Sequence, residues 1–146
     1  MNIKQVALLI PLLMSANTWA STVEYCPKVA DIKEVGNTAS YIAATVSGQD
    51  EWNGTSQTGR GPVAGFEEAI FKAHGGAVDG VVVGELLRCG YNLRDGGKLD
   101  MRFKREGTVV SIQEGGAWEQ WHGQYYCEDK TAGACSFKEL SRPSKG

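Results

Sequence analysis

The spacing of apolar side chains along the chain changes character several times, and each change predicts an element. The first apolar stretch is a block with no period. After Lys4 comes Val6-Ala7-Leu8-Leu9-Ile10-Pro11-Leu12-Leu13-Met14, then a polar stretch ending Thr18-Trp19-Ala20. A single positive charge, a short apolar run and small residues at the boundary are the marks of a cleaved secretory signal. As a helix the run would rise about 14 Å, against roughly 30 Å of hydrocarbon, so it is too short to span a membrane. The expected products are a leader, residues 1–20, and a single exported domain, residues 21–146. Ser21 is not a cysteine, so the expected cut offers no lipid acceptor and the released domain has no membrane insertion.

Within that domain, Ala39–Val46 has the β-branched and aromatic content of a strand. Ser47–Gly61 reads as a polar, glycine-rich loop carrying Trp52. Pro62 suits the first turn of a helix, and Phe66, Ala69, Ile70 and Ala73 recur at helical spacing with Glu67, Glu68 and Lys72 off the stripe. His74-Gly75-Gly76 would end that helix, with His74 against its C-terminal dipole. After Gly80 the period becomes two. Val81, Val83, Glu85, Leu87, Cys89 and Tyr91 are expected on one face of a strand, with Val82, Leu86 and Arg88 on the other. Arg94-Asp95-Gly96-Gly97-Lys98 signals a hairpin. Leu99, Met101 and Phe103 then alternate with Asp100, Arg102 and Lys104, one face for the core and one for water. Glu106-Gly107 turns the chain into a strand over Thr108–Gln113, and Gly115-Gly116 turns it into another over Trp118–Cys127. A last short strand over Cys135–Leu140 runs into a flexible tail, residues 138–146. The predicted fold is mainly β, or α+β: an antiparallel meander or small sandwich with one short helix and two disulfides.

Charge narrows the partners. Losing Lys4 with the leader takes the formal net charge from −2 to −3, with no strongly basic face for nucleic acid. Cys26, Cys89, Cys127 and Cys135 all lie in the exported part, an even count that reads as disulfides; no C-x-x-C pair suggests a metal site. Three connectivities are open. The pairing Cys127–Cys135 with Cys26–Cys89 is preferred, because the turn-like segment 128–134 brings the first pair together easily. Chain entropy assigns the short closure about 2.6 kcal/mol and the long one about 4 kcal/mol.

The most unusual stretch is Trp118-Glu119-Gln120-Trp121-His122-Gly123-Gln124-Tyr125-Tyr126. Taken as one strand, it puts Trp118, Gln120, His122, Gln124 and Tyr126 on one face and Glu119, Trp121 and Tyr125 on the other. Aromatic rings with polar handles suit a surface for a protein or glycan. With the Trp52 loop, this makes Trp52, Trp118, Trp121, His122 and Tyr125 the candidate binding residues. The competing reading places one face in the core and folds Trp52 over it as a lid.

Catalytic chemistry has less support. His74 and His122 are the only histidines, without H-x-H or H-E-x-x-H spacing, so no metal site is expected. A small hydrolase using His122 as base with Glu119 or Asp129 is the third reading, but no nucleophile is evident. Gly59-Arg60-Gly61-Pro62-Val63-Ala64 matches a dinucleotide fingerprint only formally, lacking the preceding tight strand-to-helix turn, so no cofactor is expected. The leading expectation is a non-enzymatic binding domain. The alternative is an inhibitor of an envelope or extracellular hydrolase, inserting a loop tip around Asp50–Gly54.

Cys26-Pro27, Ile32, Tyr41, Trp52-x-Gly54, Phe66-x-x-Ala69, Leu87-x-Cys89-x-Tyr91 and the two late cysteines together resemble a family. It is the group of small exported bacterial proteins classed as a domain of unknown function and marked by an N-terminal Cys-Pro. The resemblance implies a bacterial, periplasmic or secreted setting and brings no catalytic residues with it.

Overall fold

The computed structural model describes residues 23–104 and 107–140. The expected leader, the Glu106 half of one expected turn and the end of the expected tail lie outside the described residues. Those described form an 11-stranded, wholly antiparallel sheet, and the only helical element is a single 3-10 turn, Val29–Asp31.

The organising strand is β6 (Val81–Leu93). One edge pairs along its length with β5 (Val63–Ala73). The other edge is shared: Val81–Gly84 pair with β8 (Val110–Gln113), and Cys89–Asn92 pair with β7 (Lys98–Phe103). The sheet therefore forks. From β7 one arm continues through β4 (Glu51–Thr55), β3 (Ser40–Ala44) and β2 (Lys33–Glu34); from β8 the other runs through β11 (Ser136–Glu139) to β1 (Val23–Tyr25). The expected meander holds for the β6–β7 hairpin, and β8 departs from it by returning to β6. Lys138 and Glu139, expected in the tail, pair with Ser111 and Val110 instead.

The arms close over an aromatic cluster. Trp52 of β4 lies 5.2 Å from Phe103 of β7 and 6.0 Å from Phe137 of β11, and the two phenylalanines are 5.0 Å apart. Ring pairs in this range add to the area they bury. Trp52 is 1% exposed, so the expected loop around it is strand β4, held between β3 and β7. Its neighbour Gly54 is required by the close approach of β7, because a Cβ there would strike the carbonyl oxygen of Asp100.

The expected helix is strand β5, and bulges explain the mistaken period. An extra residue is accommodated between Val63 and Gly65 and again between Phe66 and Glu68. Each bulge adds one residue to an inward repeat of two. Val63, Phe66 and Ala69 thus face Leu93, Tyr91 and Cys89 at intervals of three, before the normal alternation returns at Phe71. Three-residue spacing of apolar side chains is what an amphipathic helix shows. His74 consequently caps no helix; its Nε2 is 3.2 Å from Glu85 across the β5–β6 pair. A third bulge, where Ile70 and Phe71 pair with Arg88 and Leu86, makes Leu87 the extra residue of β6. The buried set accordingly switches from Val82 and Gly84 to Cys89, Tyr91 and Leu93, correcting the single face expected along that strand.

Cys26–Cys89 and Cys127–Cys135 are bonded, the preferred pairing. The first ties the segment after β1 to β6. Beside it, the Tyr91 hydroxyl donates to the Pro27 carbonyl at 2.6 Å, and burial pushes the Tyr91 phenol well above its ordinary range.

Candidate binding groove

Trp118–Cys127 is two strands, not one. β9 (Glu119–Trp121) and β10 (Gln124–Cys127) are joined at His122-Gly123, whose φ angles of 50° and 81° are both left-handed. A two-residue loop with positive φ at both positions matches the twist of the flanking strands. Histidine tolerates that region better than a β-branched residue would, and glycine enters it freely. The turn overturns the expected division of faces, since it reverses the chain in the middle of the supposed strand.

β10 pairs with β5, and β9 lies outside β10. Residues directly opposite across an antiparallel pair share a face. Glu119 is opposite Tyr126, Trp121 opposite Gln124, and Tyr126 opposite Ile70 on β5. Glu119, Trp121, Gln124 and Tyr126 therefore form the outer face of the hairpin. Tyr125 and Cys127 point the other way, into the core.

The five expected binding residues divide accordingly. Trp52 is buried in the aromatic cluster. Trp118 packs 6.1 Å from Phe71 and donates its indole N–H to the Ser136 carbonyl at 2.9 Å. Tyr125, also buried, packs 6.0 Å from Phe71 and donates its hydroxyl to a Glu114 carboxylate oxygen at 3.1 Å. Burial and that carboxylate both push the Tyr125 phenol up. These three rings are structural. Trp121, by contrast, is 62% exposed, and His122 is exposed beside it.

Trp121 is braced rather than loose. Its ring lies 4.0 Å from the His122 ring and 5.8 Å from the Tyr126 ring, both edge-on. Together with Tyr126 it borders a groove of about 590 Å³ that also includes Glu68, Glu119, Glu128 and Asp129. Sequence reasoning missed Tyr126, Glu68 and Glu128. The carboxylates differ in what holds them. Glu68 receives Arg88 Nη2 at 3.2 Å, while Nη1 of the same guanidinium reaches Asp100 at 2.8 Å. Asp129 accepts the Thr131 backbone N–H at 2.9 Å, a bond that holds its carboxyl below the usual range. The Glu119 and Glu128 carboxylates make no hydrogen bond or ion pair among the described residues.

His122 stands at the hairpin tip, and no carboxylate among the described residues lies within hydrogen-bonding distance of its ring. Neither Glu119 nor Asp129 is placed to orient it as a base. Among the described residues no group of three or more His, Cys, Asp or Glu side chains is arranged to hold a metal ion.

Two further regions complete the surface. A cavity of about 330 Å³ lies between the two disulfides, bordered by Cys26, Pro27, Phe66, Lys130 and Cys135. The Lys130 ammonium there donates to the Phe66 carbonyl at 3.0 Å. At the far end of the arms, buried Glu24 accepts the Val46 N–H at 3.0 Å, and burial pushes its carboxyl up despite that bond. Lys104 bridges Glu139 at 3.0 Å and Asp50 at 3.1 Å. Asp50 borders the Thr45–Asp50 turn, whereas Glu51–Thr55 is strand, so the tip expected at Asp50–Gly54 is not a loop.

Comparison with protein families matches residues 21–138 to the family described as Protein of unknown function (DUF3757). The chain belongs to this family. The DUF3757 match takes in both disulfides, the forked sheet and the whole hairpin that carries the groove. No curated protein and no solved structure matches the chain.

Proposed function

We propose that this DUF3757 protein is a non-enzymatic binding domain of the bacterial periplasm or extracellular space, and that it captures a protein or glycan partner at the Trp121–Tyr126 groove. The supporting observation is Trp121 itself, a large aromatic side chain 62% exposed yet held edge-on by His122 and Tyr126. Its exposure leaves apolar area for a partner to cover, and its bracing lowers the entropy lost when that happens. Export through the leader at residues 1–20 is part of the proposal. Two formed disulfides are compatible with an oxidising compartment, and no helix among the described residues is long and apolar enough to cross a membrane.

The test uses the oxidised protein and its Trp121→Ala variant as paired baits against envelope and culture-supernatant fractions, read by quantitative mass spectrometry. A partner retained by the parent and lost by the variant supports the proposal. Equal recovery on both baits refutes the groove as the capture surface.

A second reading, inhibition of an envelope or extracellular hydrolase, draws on a different place. The Thr45–Asp50 turn presents Val46 at 48% exposure while the Glu24 carboxylate holds its N–H. A turn fixed in this way loses little entropy on insertion into a cleft. Inhibition assays against lysozyme and serine proteases test it, and uniformly negative results count against it. His122-based hydrolysis has no comparable support, because no carboxylate among the described residues lies within hydrogen-bonding distance of the ring.

A further inference from the structure

The groove's side chains favour one class of occupant over others. Glu68, Glu119, Glu128 and Asp129 border it, and among the described residues no lysine or arginine does. Glu68 is balanced by Arg88, and Asp129 is engaged with Thr131, but Glu119 and Glu128 are left without a partner among the described residues. Glu119 is directly opposite Tyr126 on the hairpin, so one unpaired carboxylate is fixed beside an aromatic ring. Trp121 supplies the second ring, 5.8 Å from Tyr126.

An ionised carboxylate only accepts hydrogen bonds, and an aromatic face attracts positive charge. A neutral sugar would meet acceptors it could satisfy but would leave the carboxylate charges uncompensated. A guanidinium or ammonium satisfies both features together, stacking on a ring while donating to a carboxylate. Charge complementarity therefore selects the ligand.

We infer that the Trp121–Tyr126 groove receives a cationic side chain, and that its occupant is an arginine- or lysine-bearing segment of a partner protein. This rests on the groove being the binding surface, and it commits that reading to a basic peptide rather than a glycan. In this arrangement a basic side chain lies over the exposed Trp121 ring, with Glu119 and Glu128 receiving its donors.

The experiment is calorimetric titration of the oxidised full chain with three probes: tetra-arginine, its uncharged tetra-citrulline analogue, and a chitin oligosaccharide. The expected result is binding of tetra-arginine, with tetra-citrulline weaker by about ten-fold or more. Affinity should fall further as salt rises from about 0.05 M to about 0.5 M, because the carboxylates are at the surface. A Glu119→Gln/Glu128→Gln double variant should weaken tetra-arginine by about ten-fold, as should Trp121→Ala, while Glu51→Gln on β4 leaves it unchanged. Circular dichroism confirms that each variant is folded. Tetra-arginine binding that ignores the Glu119/Glu128 change overturns the inference. So does oligosaccharide binding that needs Trp121 but neither glutamate, although that result leaves the groove standing as the binding surface. Failure of all three probes overturns the cationic assignment and leaves partner capture to be judged by the Trp121→Ala bait.

Discussion

Alanine at Tyr125 and alanine at Trp121 should have opposite consequences, although the two residues lie four positions apart in one aromatic stretch. Tyr125 is 4% exposed, packs against Phe71 and bonds Glu114. Truncating a buried aromatic to alanine costs about 3–5 kcal/mol. Removing a part-buried hydroxyl bond adds about 1 kcal/mol, giving about 4–6 kcal/mol for Tyr125→Ala. Trp121 is exposed, and its ring contacts with His122 and Tyr126 are all the variant gives up, so Trp121→Ala should cost about 1 kcal/mol. The predicted gap is about 3–5 kcal/mol, or a difference of roughly 12–20 °C in Tm for a domain of this size. Urea unfolding followed by far-UV circular dichroism measures it without relying on tryptophan emission, which the Trp121 change alters. Two variants within about 0.5 kcal/mol of each other would refute the assignment of one ring to the core and the other to the surface.

The remaining expectations concern the frame that holds the groove. Loss of Cys26–Cys89, with a sequence separation of 63, should destabilise more than loss of Cys127–Cys135, with a separation of 8. Chain entropy puts the difference between the two paired-alanine variants between about 1 and about 2 kcal/mol, read as denaturation midpoints. Gly84→Ala should be severely destabilising, since its Cβ would strike the Lys72 carbonyl oxygen, and Gly65→Ala, where nothing lies within reach of a Cβ, should be mild by the same thermal scan. Because burial raises the Glu24 carboxyl above its ordinary range, the folded state holds that proton more tightly than the unfolded chain. Its contribution to stability is therefore greatest at low pH and is lost as pH climbs from about 4.3 through the raised value. Urea midpoints for the parent and Glu24→Gln across that range should diverge, the parent losing ground as pH rises; parallel curves would refute the shift.

Where local pattern and tertiary environment agreed, the elements were legible. Leu99, Met101 and Phe103 alternate without interruption, and β7 lies where that alternation places it, after the glycine-rich turn at Asp95–Gly97. The preferred disulfides followed from loop length and turn composition. Val63–Ala73 was misread because bulges converted a repeat of two into apparent helical spacing, and a bulge is defined only by pairing with a second strand. The candidate site was legible as a region and not as a set of residues. An aromatic segment announces that rings are present; the His122-Gly123 turn decides which of them face water.

By itself, then, the sequence determined a β-rich, disulfide-bonded chain with an aromatic segment near its end, because strand propensity, cysteine count and turn residues act over a few neighbours. The tertiary structure alone decided that β6 carries two partners on one edge, that Trp52 and Tyr125 are core, and that Trp121 meets Tyr126 beside a group of carboxylates. Those outcomes depend on pairing between strands distant in the chain, and a single strand carries no record of which edge its partner will take.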